Sequence, residues 1–232
     1  MRDARAAWSR LAATEWELLI VGGGIVGAGL FLEASRRGVR TALVEQRDFA
    51  WGSSGRSSKL IHGGLRYLAQ GQAHLTRTLL RERDRLLAEA PGLVQPLPFL
   101  LVVAASRPSD RALFRLAVTL YELLRARRPR WSWYDPDALI RRWPGMDPAA
   151  VLGAWRYFDA GADDARLVWR LVEGGIRHGG LAVPYAEAEA LILERSRVAG
   201  VEIRDLESGR RVSVGARLVV NAAGAWSDTL RR

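Results

Sequence analysis

The 232-residue chain is predicted to be an α/β protein built on a parallel sheet, and three observations carry that prediction. A buried apolar run at 17–21 (ELLIV) leads into a glycine-rich turn, GGGIVGAG. A helix pattern over 25–37 then stops at Gly38, and a second strand pattern, VRTALVE, fills 39–45. Strand, crossover helix and strand within about thirty residues make a βαβ unit, which requires parallel strands with helices packed on their faces.

Each further element follows from its own pattern. Residues 4–13 have helical spacing and predict a short leader helix. After 39–45 comes a polar loop, 48–58, then KLIHGGLRYL, then a helix over 72–90 with Leu75, Leu79, Leu80, Leu86 and Leu87 as its apolar side. Its solvent face is expected to carry Arg81, Glu82, Arg83, Asp84 and Arg85. A strand is expected over 97–104. A helix over 110–127 follows, with Leu113, Leu116, Ala117, Leu120 and Leu124 as its buried stripe. Dense Pro and Trp over 128–149 predict an irregular, peripheral stretch. A helix over 164–178 precedes strands at 181–183 and 186–194, a hairpin of 198–203 with 211–214, and a last buried strand, RLVVN, at 217–221.

Composition bounds the function. With 49% hydrophobic and 26% charged residues and no Cys, the chain can bury one large or two small domains. Neither a disordered tail nor a disulfide scaffold is expected. The longest uncharged runs, 18–32 and 90–106, are broken by glycines and prolines, so neither reads as a membrane span. The N-terminal stretch before the first strand lacks the continuous apolar core of a secretory signal, and the expected address is cytoplasmic. A net charge of +10 raises the question of nucleic acid. Only Lys59 is a lysine, and the arginines are scattered among Asp and Glu, so no nucleic-acid partner is expected. An anionic substrate or membrane surface stays open.

Gly22, Gly24 and Gly27 form GxGxxG between strand and helix, the context of a dinucleotide fingerprint. Gly22 permits the tight turn, Gly24 lets a pyrophosphate approach the backbone, and Gly27 lets helix and strand pack closely, while the helix N-terminus offers N–H groups to phosphate. Glu45 closes the second strand pattern, where a carboxylate accepts from the adenosine ribose hydroxyls and disfavours a 2′-phosphate. The next segment favours FAD over NAD. Instead of another βα unit it is WGSSGRSSKLIHGGLRYL, with Ser53, Ser54, Ser57 and Ser58 as hydroxyl donors, a Gly63-Gly64 pair for close approach to a flat ring, and Lys59, His62, Arg66 and Tyr67 beside it.

Through GGGIVGAG, SSKLIHGGLRYL, PLPFLLVV, DAGADDARL (159–167) and VNAAGAW (220–226), the sequence resembles the FAD-dependent glycerol-3-phosphate dehydrogenases, within the wider D-amino-acid-oxidase-like flavoproteins. The resemblance spans about residues 16–228. It implies a Rossmann-like FAD-binding domain, in two parts (1–80 and 164–232), with a cap or substrate region at 81–163, the last part expected to be cut short. It implies oxidation of sn-glycerol 3-phosphate to dihydroxyacetone phosphate, hydride passing to flavin N5 and electrons to quinone. Gly22, Gly24, Gly27 and Glu45 would hold ADP; Ser53, Ser54, Ser57 and Ser58 the pyrophosphate and ribitol; Lys59, Leu60 and His62 the isoalloxazine; Gly224 and Trp226 a later flavin-contacting turn. Arg66, Tyr67 and His62 would be the catalytic set. Peripheral contact with the inner face of the cell membrane, which the net charge of +10 would suit, and a homodimer stay open as expectations. Phe31, Glu33, Trp51, Gly55, Ala186 and Ala188 differ from the residues usual in that family.

Plainer readings stand beside these. His62 can be structural, fixing the glycine turn, and Arg66 an ordinary ion-pair residue. His74 and His178 read as surface residues, and Asp163-Asp164 as a helix N-cap rather than a metal site. No metal is expected. The alternative functions are an inactive FAD-binding fragment or remnant, and a related FAD-dependent oxidase of another hydroxy or amino acid.

Overall fold

The structure is a computed structural model describing residues 2–124 and 131–230. In chain order its elements are α1 (Arg2–Ala13), β1 (Trp16–Val21), α2 (Ile25–Arg36), β2 (Thr41–Val44), β3 (Leu60–Ile61), α3 (Leu65–Ala69), α4 (Ala73–Glu89) and β4 (Val94–Ala104). Then follow α5 (Asp110–Leu123), β5 (Ser132–Tyr134), α6 (Pro136–Arg142), β6 (Val151–Ala162), α7 (Asp164–Arg177), β7 (Leu181–Val183), β8 (Ala186–Glu194), β9 (Arg197–Asp205) and β10 (Arg211–Asn221). They form two compact units, 1–58 with 163–232, and 59–162, so residues 59–80 pack with the middle of the chain rather than with the first segment.

The first unit is the α/β fold expected. Its sheet runs β7-β2-β1-β10-β9-β8, parallel from β7 to β10 and antiparallel beyond. β1 is apolar over most of its length because it serves two cores: Leu19 and Val21 join the side covered by α1, while Ile20 faces α2 and α7. Each such buried side chain contributes about 2 kcal/mol. Phe31, wholly buried on α2, fits because Gly175 and Gly180 leave room where a Cβ would strike its ring. Asp163 caps α7 by accepting from the Arg166 N–H at 3.1 Å, as the N-cap reading expects.

One correction concerns β10. The expected hairpin strand at 211–214 and last strand at 217–221 are a single strand: residues 211–215 pair antiparallel with β9 and 216–221 parallel with β1. Gly215 lies opposite Gly200, where a Cβ would strike the Val214 carbonyl, so the crowded crossing passes without a turn.

The second unit is a four-stranded antiparallel sheet in which β4, β3 and β5 all pair with β6. The short β5 and α6 correct the expectation of an irregular stretch over 128–149, of which 128–130 lie outside the described residues. Pro96 and Pro98 sit two apart in β4, an edge strand, so both missing N–H groups fall on one side and the ladder survives. Asp135, accepting from the Ala138 N–H at 2.7 Å, and Pro136 at the first helical position start α6.

The helices of this unit bury other faces than expected. On α4 the buried line is Thr76, Leu80 and Arg83, while Leu75 is exposed. Arg83, expected in solvent, is 1% exposed because it meets a buried carboxylate. On α5 the buried residues are Val118, Tyr121 and Glu122, and Leu113, Leu116, Leu120 and Leu123 form an exposed apolar stripe on the opposite side. The helix has two apolar faces, and the one bearing Tyr121 can also satisfy a polar core. Residues 125–127 of the expected helix lie outside those described. No described helix is long and apolar enough to cross a membrane.

Candidate functional site

Within the first unit a cleft opens where the ends of β1, β2 and β10 meet the start of α2. Gly22 turns the chain with φ +111°, and a Cβ there would lie 2.5 Å from the Ala222 carbonyl oxygen. At Gly27 a Cβ would strike the Gly22 carbonyl, which is the close helix–strand packing expected of the third glycine. Gly24 lines the cleft and precedes α2, whose first N–H groups have no acceptor a turn earlier in their own helix.

Two side chains brace this turn. Glu45 Oε2 accepts from the Gly23 N–H at 2.7 Å while its Oε1 accepts from the Arg47 N–H at 2.9 Å, and Ser54 Oγ accepts from the Ile25 N–H at 2.9 Å. Both also line the cleft, as do Ser53, Ala186 and Ala188. Small side chains at 186 and 188 leave that wall open. Gly224, at φ +57°, and Trp226 form the opposite lip, where Trp226 packs on Trp51 with ring centroids 5.7 Å apart. The guanidiniums of Arg47 and Arg56 lie 4.3 and 4.4 Å from the Trp51 ring, so this unusual loop residue is held on three sides. Gly55 belongs to the same loop because a Cβ would lie 2.5 Å from the Ala50 carbonyl oxygen.

The cleft thus gathers Gly22, Gly24, Glu45, Ser53, Ser54, Gly224 and Trp226, with Gly27 behind it. Ser57 is engaged elsewhere: its Oγ and N–H donate to Asp164 Oδ2 at 2.8 and 3.2 Å. Ser58 is exposed and outside the cleft lining. Lys59, Leu60, His62, Arg66 and Tyr67 belong to the second unit. Lys59, His62 and Arg66 are exposed there, and Leu60 and Tyr67 half-buried. His74 and His178 are exposed.

Sequence reasoning missed a buried polar network beside the glycine pair. Asp159 Oδ1 accepts from Arg83 Nη1 at 2.6 Å, and the Tyr121 hydroxyl donates to Asp159 at 2.7 Å. The Gly63 N–H donates to Tyr121 Oη, also at 2.7 Å. Burial, then the Asp159 charge and hydrogen bond, push the Tyr121 phenol well above its ordinary value, and burial with the same charge does so for Tyr157. Burial works against the Arg83 charge, but hydrogen bonds to Asp159 and Asp84 outweigh it, leaving the guanidinium held charged. Thr76, Leu80 and Arg83 do share helical spacing, and Asp159 alternates with Trp155 and Tyr157 along β6, but neither pattern by itself says that Arg83 and Asp159 meet. Among the described residues no group of three or more His, Cys, Asp or Glu converges as a metal site.

The cleft fits an adenine dinucleotide by its own geometry. It offers a side-chain-free approach at Gly24, helix N–H groups for phosphate, a carboxylate at the end of β2 and apolar walls. The residues present therefore suit FAD.

Comparisons with known proteins agree. The chain is 38% identical over 228 residues to glycerol-3-phosphate dehydrogenase 2 of Mycobacterium tuberculosis, covering 97% of this chain and 39% of that protein. It is 37% identical over 234 residues to the alpha-glycerophosphate oxidase of Streptococcus pyogenes, covering 98% and 38%. It therefore spans about two fifths of the length of the curated relatives it matches. Among solved structures, the glycerol-3-phosphate dehydrogenase from Bacillus halodurans complexed with FAD superposes with a TM-score of 0.73 at 29% identity, over 99% of this chain and 38% of that one. The L-proline dehydrogenase from P. horikoshii shares the fold, with a TM-score of 0.68 at 19% identity over 94% of this chain and 55% of its own. The FAD dependent oxidoreductase family pattern matches residues 17–232, and the chain belongs to that family.

Proposed function

We propose that this chain is the FAD-binding part, with a portion of the substrate region, of an enzyme that oxidises sn-glycerol 3-phosphate to dihydroxyacetone phosphate. The carrying observation is the cleft in which Gly22, Gly24, Ser54 and Glu45 converge on the start of α2. The substrate follows from the names of the relatives at 37–38% identity. FAD, when bound, supplies a two-electron acceptor at N5. Gly22, Gly24, Gly27 and Glu45 hold the ADP half, and Ser53 and Ser54 donate to the pyrophosphate, with Ser57 and Ser58 toward the ribitol side. Gly224 and Trp226 close the later turn, and Lys59, Leu60 and His62 serve the isoalloxazine.

In this reading Arg66 provides the fork of N–H donors that suits a phosphate or a polarised alcohol oxygen, with Tyr67 beside it. His62 would accept the hydroxyl proton while the carbon-bound hydrogen departs with its bonding electron pair as hydride, leaving the ketone. The domain roles follow: 1–80 and 164–232 bind FAD and 81–163 forms the cap. Quinone is the electron acceptor in the first reading. Dioxygen is the second, favoured by the similarity to the alpha-glycerophosphate oxidase.

The reading includes peripheral attachment to an anionic leaflet on the cytoplasmic side and a homodimer. The exposed stripe Leu113, Leu116, Leu120 and Leu123 supports the former. Co-sedimentation with anionic vesicles and loss of it in Leu116→Asp is the expected result; analytical ultracentrifugation reads the dimer.

The test of the main proposal is an absorption spectrum after incubation with FAD, followed by anaerobic addition of glycerol 3-phosphate. A flavin band that bleaches supports the dehydrogenase reading, and reoxidation by a quinone analogue or by air separates the two acceptors. A band that stays overturns the dehydrogenase reading in favour of a non-catalytic FAD-binding fragment, and absence of bound flavin overturns the FAD site as well.

A further inference from the structure

We infer that Tyr121, Asp159 and Arg83 are positioning residues that set the backbone of residues 62–66, and through it His62 and Arg66. The inference rests on the proposed function for the roles of those two side chains, and on the following geometry for the rest.

Residues 59–63 are tied along their length to residues 159–162. The Ala162 N–H donates to the Lys59 carbonyl at 2.8 Å, and Leu60 and Ile61 pair with Gly161 and Ala160. At the far end the Gly63 N–H donates to Tyr121 Oη at 2.7 Å, and the same amide lies 3.3 Å from Asp159 Oδ1. Two motifs that stand far apart in the sequence are thereby one structural piece.

The far end is the tighter one. A Cβ on Gly63 would strike Leu80 Cδ2 and lie 2.7 Å from Tyr121 Oη, so the backbone at Gly63 has no room to slide. Gly64 then turns at φ +72° directly into α3, which carries Arg66 and Tyr67. His62 and Arg66 are exposed on either side of this clamped pair.

The chemistry of the clamp argues for position rather than stability. Asp159, Tyr121 and Arg83 are all deeply buried. Charges buried this way contribute little net stability compared with an apolar core of the same volume. What a fully satisfied network does supply is a single geometry. Tyr121 is its pivot, accepting from Gly63 while donating to Asp159, with Arg83 Nη1 holding that carboxylate from behind.

The test is Tyr121→Phe in the FAD-loaded protein, with three readouts. Amide hydrogen exchange over residues 60–69 is expected to rise about tenfold or more while the strands of the first unit stay unchanged. Flavin content is expected to hold, and anaerobic flavin reduction by glycerol 3-phosphate, well below the melting temperature, to slow about 10- to 100-fold. The Tyr121→Phe/Arg66→Ala double variant is expected to be no slower than Arg66→Ala alone, since both act through one group. Unchanged exchange over 60–69, a reduction rate within about twofold of the parent, or fully multiplicative effects would each overturn the inference. A parent protein that binds FAD but is never reduced by the substrate overturns the functional reading, and the inference with it. That failure shows in the parent, before any variant is made. Should Tyr121→Phe not fold, Arg83→Lys, which keeps the cation but loses the fork, takes its place with the same outcomes.

Discussion

Glu45 Oε2 accepts the Gly23 N–H at 2.7 Å, so the carboxylate at the end of β2 braces the glycine turn that ends β1. Its other oxygen takes the Arg47 N–H, and one side chain thereby fixes both the turn and the start of the following loop. Lone pairs remain on both oxygens for ribose hydroxyls.

Glu45→Gln keeps the shape but leaves one acceptor oxygen for two amide donors. One backbone N–H then faces an NH2 group, and the expected loss is about 1–3 kcal/mol of stability with FAD bound at least tenfold more weakly. Thermal melts and flavin fluorescence titration read the two effects; an unchanged FAD affinity would remove Glu45 from the site.

Gly24→Val places a branched side chain at the mouth of the cleft, where even a Cβ would lie 3.0 Å from Ser54 Oγ. The expected outcome is a folded protein, by circular dichroism, that carries no flavin absorbance. Normal flavin content in this variant contradicts the fingerprint reading.

Arg66→Ala is expected to lower flavin reduction by glycerol 3-phosphate about 100-fold, the equivalent of roughly 3 kcal/mol of lost charge-assisted bonding, with flavin content retained. Stopped-flow reduction beside the flavin-to-protein absorbance ratio makes the check. Equal loss of both returns Arg66 to an ordinary structural role.

Gly175→Ala forces a methyl against the Phe31 ring. The expected cost of that overpacking is about 1–3 kcal/mol. Adding Phe31→Leu should restore part of it. Urea melts of the two singles and the double measure the coupling, and additive losses would show that the two residues do not share the space.

Tyr121 and Tyr157 have phenols raised above their unfolded value. Their contribution to stability is therefore complete below about pH 10 and declines as pH rises toward the folded values. Alkaline titration should show their phenolate absorbance appearing together with loss of secondary structure. Ionisation of both in a protein of unchanged circular dichroism would contradict the burial that raises them.

Much of the first unit was legible because local and global demands coincide there. A strand buried on both faces must be apolar, a tight turn under a helix needs Gly22, and the helix must approach at Gly27. The second unit was less legible. Leu113, Leu116 and Leu120 made a better stripe by composition than Val118, Tyr121 and Glu122, yet the fold buries the latter. Trp and Pro concealed β5 and α6, and Gly153, Ala154, Ala160, Gly161 and Ala162 gave β6 little of the usual strand signal.

What the amino-acid order determined by itself is the βαβ start, the glycine turn and the carboxylate at its far edge, since each depends on spacing within about thirty residues, together with the family, which short motifs along residues 16–228 carry. Tertiary structure alone decided which face of α4 and α5 is buried, that Arg83 lies inside, and that Asp159 and Asp164 hold Gly63 and Ser57. The reason is physical: a buried cation is tolerated only where a carboxylate from a distant strand meets it, and no local pattern records that meeting.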